Sequence, residues 1–240
     1  MSARILILDV LDPRGERGLV VDTQAAFDAG ATEVVPLATG TWQGDTVLPA
    51  DVKLLESALE EALAVPTQSM LVGALPNTKV AGAVVTALAR DLPETLVFAP
   101  GEFIPSRAWF AGSAERQHRS HFQTLTREAT VVVMTATESA AWLEKKDLDA
   151  EQAGTALCDS GAYAAWIRDE PGSVRSLDRL VANGRTSVLD YPAPAEDATD
   201  RAPGSLTALL GTGLTLQESV AGAQRRAACP TNSGGLAICR

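Results

Sequence analysis

Positive charge is scarce in this chain: 20 Lys and Arg stand against 30 Asp and Glu over 240 residues, for a formal net charge of −10 and a pI near 4.7. Binding to nucleic acid or an anionic membrane needs a concentration of basic side chains, so a small ligand is the better expectation than a polymer. Long apolar runs are missing too. Nothing approaches the roughly 20 residues that span a bilayer, and the apolar N-terminal segment is cut by Asp9 and Asp12, so it reads as a buried strand and not as a signal peptide. Cysteine is sparse: Cys158, Cys229 and Cys239 have no C-x-x-C spacing, and their odd number does not suggest a disulfide framework. A reducing, cytoplasmic setting is expected. Three catalytic signatures are absent as well. There is no G-x-x-x-x-G-K-[ST] for a phosphate-cradling loop, no G-x-G-x-x-G after a strand and no G-x-S-x-G nucleophile elbow.

What is present is an ordinary globular composition, 46% hydrophobic and 21% charged, enough for one well-filled α/β domain over 1–228 followed by a tail over 229–240. Ala3 to Val10 is apolar on both faces, as a central parallel strand must be. A helix over Gly18 to Ala29 follows, with Leu19, Val20 and Phe27 on helical spacing and Gly30 at its end. Glu33–Ala38, Ser69–Val72, Thr95–Ala99, Val131–Met134 and Ala162–Arg168 read as further strands. Thr39 to Asp45 reads as a polar loop, after which Pro49 opens a helix with Val52, Leu55, Leu59 and Ala62 on one face. Asn77, Asp149 and the Thr215/Glu218 pair are helix-start signals, and Thr137-Glu138 opens a short helix. Asn183-Gly184 between two apolar runs predicts a hairpin. The alternation of strands and helices predicts a mainly parallel, doubly wound sheet closed by antiparallel edge strands. His118 and His121 stand three apart with Arg116 and Arg119 interleaved and no carboxylate pair beside them, which predicts a solvated helix face and no metal site.

The stretch most suited to ligand contact is Leu11 to Gln24, LDPRGERGLVVDTQ, which joins the first strand to the first helix through glycines at the C-terminal edge of the sheet. Its residue order resembles the SDPSGGAGIQADLKTF opening of the hydroxymethylpyrimidine and phosphomethylpyrimidine kinases of thiamine biosynthesis, with matches at Asp12, Pro13, Gly15, Gly18 and Asp22. Gln43 aligns with the glutamine of that family's TAQNT run, LPADV from Leu48 with its next helix start, and Val72-Gly73 with its K-I-G-M segment. The resemblance covers about residues 4 to 228, with its clearest motifs in the first third.

It implies a ribokinase-like three-layer α/β fold and a small-molecule pocket for an aminopyrimidine on Asp22, Gln43 and Gly73. A carboxylate and a carboxamide suit such a ring because they pair directionally with ring nitrogens and an exocyclic amine. It also implies ATP and magnesium, an anion hole lined by Gly204 and Ser205, a charge from Arg201 for the transferred phosphoryl group, and a homodimer. The phosphate-handling motifs differ from the family's. Its H-G-T-G-C is Arg201-Ala202-Pro203-Gly204-Ser205 here, its V-K-G-G-H is Ile167-Arg168-Asp169-Glu170-Pro171, and its T-P-N-L-P-E is Met134-Thr135-Ala136-Thr137-Glu138. Its D-P-V-M and K-S-G runs become Ala99-Pro100-Gly101 and Ser106-Arg107. Pro203 has no N–H to offer, and a serine is a poor general base. Two readings stand side by side: a kinase of an aminopyrimidine alcohol or its monophosphate, and a catalytically inactive descendant that binds a small molecule or regulates. Nothing in the sequence singles out another reaction on Asp12, Asp22 or Glu102.

Overall fold

The central strand follows directly from Ile5-Leu6-Ile7-Leu8, whose side chains are all fully buried although successive ones point to opposite faces. A strand apolar on both sides needs a layer of helices on each, and the computed structural model, which describes residues 3–101, 113–168, 175–192 and 200–227, supplies both. Its elements run β1 (Arg4–Leu11), α1 (Leu19–Asp28), β2 (Glu33–Gln43), β3 (Thr46–Pro49), α2 (Val52–Leu63), β4 (Ser69–Val72), α3 (Thr78–Leu88) and β5 (Thr95–Phe98). The order continues with α4 (Ser113–Glu128), β6 (Val131–Thr135), α5 (Ala136–Leu143), α6 (Ala150–Asp159), β7 (Ala164–Arg168), β8 (Arg175–Ala182), β9 (Arg185–Pro192), α7 (Ala202–Gly211) and α8 (Leu216–Ala227). One sheet holds all these strands in the order β3-β2-β1-β4-β5-β6-β7-β8-β9. Strands β2, β1, β4, β5, β6 and β7 are parallel, and β3, β8 and β9 are antiparallel additions at the two edges. The expected mainly parallel, three-layer architecture is what forms.

Alternation along the strands divides the core in two. Leu6, Leu8, Met70, Val72, Leu96 and Phe98 face helices α2 to α6. Ile5, Ile7, Leu71, Val97, Val131 and Trp166 face α1, α7 and α8. Chain direction out of β1 reverses between β2 on one side and β4 on the other, which opens a crevice at the C-terminal ends of these strands.

Several local readings are met by side-chain caps. The Asn77 side chain accepts from Val80 N at 2.9 Å, Asp149 and Gln152 form a capping box, and Thr215 and Glu218 cap α8. The Asn183-Gly184 turn has both residues at positive φ, 52° and 69°, as a tight hairpin requires.

Others are corrected. Thr39–Asp45 is no loop: β2 continues to Gln43, turns at Gly44-Asp45 and returns as β3, because a Gly-Asp pair between Thr41-Trp42 and Thr46-Val47-Leu48 is itself a hairpin turn. Pro49 therefore ends a strand, and Asp51 caps α2 by accepting from Lys53 N and Leu54 N. The short helix at 136 is capped by Thr135, in a box with Glu138, and not by Thr137. Val20 and Phe27 of α1 turn outward, since its buried face is made of Leu19, Val21, Asp22, Ala25 and Ala26. His118 is not solvated. It is fully buried, with its ring centroid 4.7 Å from that of Phe122, because His118, Phe122, Leu125 and Ala129 form one helical stripe, and burial pushes the imidazole pKa down to about 4. Cys229 and Cys239, the tail over 229–240, Glu102, Ser106-Arg107 and Asp169-Glu170-Pro171 lie outside the described residues.

The edge hairpin is fastened by one buried carboxylate. Asp178 on β8 accepts from Trp166 Nε1 at 2.6 Å, Tyr191 Oη at 2.8 Å and Gln224 Nε2 at 3.0 Å, so β7, β9 and α8 converge on it. Asp178→Ala takes this buried acceptor from Trp166, Gln224 and Tyr191, and from Ser176 Oγ at 3.3 Å, and is expected to cost on the order of 3 kcal/mol in urea denaturation. A loss below about 1 kcal/mol would show that the cluster does not hold the hairpin.

Candidate small-molecule site

The site grows out of the turn that follows β1. The register with β2 shifts between Asp9 and Val10, and an isolated bridge pairs Leu11 with Gly18, so the chain folds back on itself before α1 starts. Within that excursion Asp12 accepts from Arg14 N through its side chain and from Gly15 N through its carbonyl. Gly18 closes the excursion with φ at 64°, and a Cβ there would stand 2.3 Å from the Val10 carbonyl oxygen, so only glycine fits. This tight closure brings the first turn of α1 against the sheet edge and buries Asp22 to 4% exposure.

Asp22 meets two partners there. Its Oδ1 accepts from Gly204 N of α7 at 2.9 Å, and its carboxyl is hydrogen-bonded to that of Asp9 at the end of β1. Asp9 in turn accepts from Val10 N at 2.6 Å and Ala74 N at 3.0 Å through Oδ1. Two buried carboxyls in hydrogen-bond contact must share a proton. Desolvation moves Asp9 up to about 6; desolvation, with the charges of Asp9 and Asp200 added, lifts Asp22 well above the usual carboxylate range.

Asp200 completes an acidic wall. It accepts from Ala202 N at 3.1 Å and is ion-paired with Arg168 at the end of β7. A cavity of about 270 Å³ opens at this edge, lined by Asp9, Asp22, Asp200, Gly73 and Pro203 together with Trp42 and Arg17. The Arg17 guanidinium lies over the Trp42 ring, 3.7 Å from its centroid.

The residues expected from the sequence separate into two groups. Asp22, Gly73 and Gly204 come together: Gly73 lines the cavity with its Cα side against the Asp9 carboxyl, where a Cβ would stand 2.5 Å from Oδ2, and a Cβ on Gly204 would stand 2.7 Å from Asp22 Cα. Gln43, Ser205 and Arg201 lie outside the lining. Gln43 is exposed at the hairpin turn, because strand alternation that brings Trp42 to the cavity sends its neighbour to the other face. The Ser205 hydroxyl is buried against the Ala25 carbonyl at 3.5 Å, and Arg201 is ion-paired with Asp28 on the outer side of α1. Asp9 and Asp200 line the cavity but had no part in the sequence reading of the site, whereas Arg17 falls within the Leu11–Gln24 stretch and Trp42 within the polar Thr39–Asp45 segment. For Asp9 a signal existed, an acid closing an otherwise apolar strand.

No family model matches the chain, and no curated protein matches it. Solved structures do. Pyridoxal kinase from Staphylococcus aureus in complex with pyridoxal superposes with a TM-score of 0.80 at 18% identity, over 95% of this chain and 88% of that one. An ADP complex of Bacillus subtilis pyridoxal kinase gives 0.79 at 16% identity, over 93% and 90%. Phosphomethylpyrimidine kinase from Clostridium difficile 630 gives 0.71 at 15%, over 92% and 96%. The chain therefore has the fold of these kinases, over 92–95% of its length.

The acidic pair fixes the sign of a pH effect. The pair retains in the native state a proton that the unfolded chain releases at ordinary carboxylate pKa values, so its contribution is complete below about pH 4 and is lost as pH rises through about 6 and beyond. Urea midpoints should therefore fall as pH rises from about 4 to about 8. Asp22→Asn, which still accepts from Gly204 N and can donate to Asp9, should flatten that slope; parallel slopes for the two proteins would dismiss the shared proton.

Proposed function

We propose that this protein is a small-molecule-binding protein on a vitamin-kinase fold, taking a nitrogen heterocycle of the aminopyrimidine or pyridine alcohol class without transferring phosphate to it. One observation carries the reading: the start of α7, where an anion hole would be built, is already filled by carboxylates. Ala202 N donates to Asp200, Gly204 N donates to Asp22, and Pro203 between them has no N–H. A phosphoryl oxygen arriving here would have to displace a carboxylate from its donor and face Asp9, Asp22 and Asp200 across the cavity. Phosphoryl transfer works almost wholly through positioned donors and cations, so this arrangement opposes it. The residues do not fit the phosphates of ATP. For magnesium, no group of three His, Cys, Asp or Glu among the described residues is arranged to hold a metal ion, although such a metal is usually held mainly by phosphate and water.

The same wall suits a different ligand. Carboxyl groups that can accept or, when protonated, donate are suited to a ring nitrogen and its exocyclic amine, and the cavity of about 270 Å³ has room for one small ring.

A second reading is supported by position. The cavity lies at the C-terminal edge of the parallel strands, beside the N-terminus of α7, in a fold whose neighbours include a pyridoxal complex and an ADP complex of kinases. On that reading ATP with magnesium phosphorylates hydroxymethylpyrimidine or its phosphate once the Asp22 side chain leaves Gly204 N.

Thermal-shift titration with hydroxymethylpyrimidine, pyridoxal and ATP-magnesium, run beside an assay for ADP release, separates the two. Ligand raises Tm in proportion to the logarithm of its concentration over Kd, so the heterocycles should stabilise the protein and nucleotide should not. Heterocycle-dependent ADP release would overturn the first reading in favour of the second.

A further inference from the structure

The cavity lined by the carboxyls is also lined by an aromatic residue with a cation already on it. Trp42, on the edge hairpin, presents its ring to the cavity, and Arg17 covers that ring at 3.7 Å while lining the same space. Arg17 comes from the loop between β1 and α1, is 43% exposed along its side chain, and has Asp12 Oδ2 3.8 Å from its Nε. Asp12 is also approached by Arg14, whose Nε stands 3.7 Å from Oδ1.

Charge accounts for the arrangement. Asp200 is neutralised by Arg168, and Asp9 and Asp22 are hydrogen-bonded to each other with a shared proton, which leaves a net negative charge facing the cavity. Arg17 is the one cation among the described residues that line it. A guanidinium is flat, delocalised and weakly hydrated, and a tryptophan face attracts it electrostatically. What the cavity now holds against Trp42 is therefore a planar cation supplied by the chain itself.

We propose that Trp42 is the ring-stacking face of this pocket and that Arg17 is its built-in occupant, so that the pocket selects planar cationic ligands which displace the Arg17 side chain from the indole. The inference deepens the reading above and rests on it for the ligand being a small ring. An incoming cation replaces the departing one, so the charge of the site is unchanged by the exchange. A neutral ring of the same size gains the stack but leaves the acidic wall uncompensated, and an anion gains neither. Arg17 is 43% exposed along its side chain, so solvent is within its reach, and its departure gives up the approach to Asp12 as well as the indole.

The test uses the full chain and two probes of equal shape, 1-methylnicotinamide, a permanently cationic planar ring, and nicotinamide, its neutral counterpart, with hydroxymethylpyrimidine alongside, all by titration calorimetry. Arg17→Ala removes the competitor and should tighten 1-methylnicotinamide about three- to tenfold, with a smaller change for nicotinamide. Arg17→Ala/Trp42→Ala should lose that gain, because without the ring there is no face to uncover. A purely structural role for Arg17 predicts the reverse, weaker binding on its removal. A gain that persists in the double variant would reduce the effect to the deleted charge and overturn the stacking site. If 1-methylnicotinamide responds as described and hydroxymethylpyrimidine does not bind, the stacking site stands and the aminopyrimidine reading falls. If hydroxymethylpyrimidine binds wild type and Arg17→Ala equally, and the cationic probe does likewise, the aminopyrimidine reading stands and the inference falls.

Discussion

The contact between the Asp22 carboxyl and the Gly204 N–H, 2.9 Å long and buried between α1 and α7, sets the character of the whole pocket. A carboxyl taken out of water needs hydrogen-bond partners or a proton, and this one has both: an amide of α7 on one side and the Asp9 carboxyl on the other. The helices can meet so closely only because position 204 is glycine, with no Cβ to strike the Asp22 backbone. Everything at the sheet edge follows from that approach. Asp9 is held against Gly73 and Ala74, α7 starts directly above the end of β1, and the cavity acquires an acidic floor.

That floor decides what can enter. In a low-dielectric recess, like charges repel more strongly than in water, and two carboxyls in contact can be accommodated only by retaining a proton. The retained proton makes the pair both donor and acceptor. Arg168, ion-paired with Asp200 at the end of β7, is tied through its surroundings to a further buried acid: Trp166, whose ring it approaches at 5.9 Å, donates to Asp178. Asp178 in turn gathers β9 and α8. The edge hairpin and the pocket are thus joined through a chain of polar groups, while the bulk of the core between them is hydrocarbon.

Much of this fold was legible in the sequence, and the reasons are local. An unbroken Ile5–Leu8 run can only be a strand covered on both faces, Asn183-Gly184 favours one kind of turn, and Asn77, Asp149 and Thr215 carry the side chains that helix starts need. What escaped depended on tertiary context. His118 and Asp178 are polar in the sequence and fully buried in the fold, and only their neighbours across space make that tolerable. The β2–β3 hairpin escaped because Thr39–Asp45 is polar, although its Gly44-Asp45 turn was there to be read. At the site, Asp22 and Gly73 were reachable through the resemblance of the Leu11–Gln24 and Val72-Gly73 segments to kinase motifs. Arg17 lay within the first of those segments without being singled out, and the grouping of Asp9, Arg17, Trp42 and Asp200 escaped because no spacing rule links four residues brought together from β1, the following loop, an edge hairpin and the approach to α7.

The start of α7 is satisfied without any ligand. A buried helix N-terminus presents amides that must find acceptors. In an anion-binding site those acceptors come and go with the ligand, and the empty state relies on water to fill the gap. Here Asp22 and Asp200 supply acceptors permanently to Gly204 and Ala202, and proline removes the donor between them, so the start of α7 is satisfied with the pocket empty. Carboxyl groups thus already cover the positive end of this helix. That is the physical basis of the function proposed above: a helix start whose amides are satisfied by the chain itself leaves the recess beside α1 for recognition.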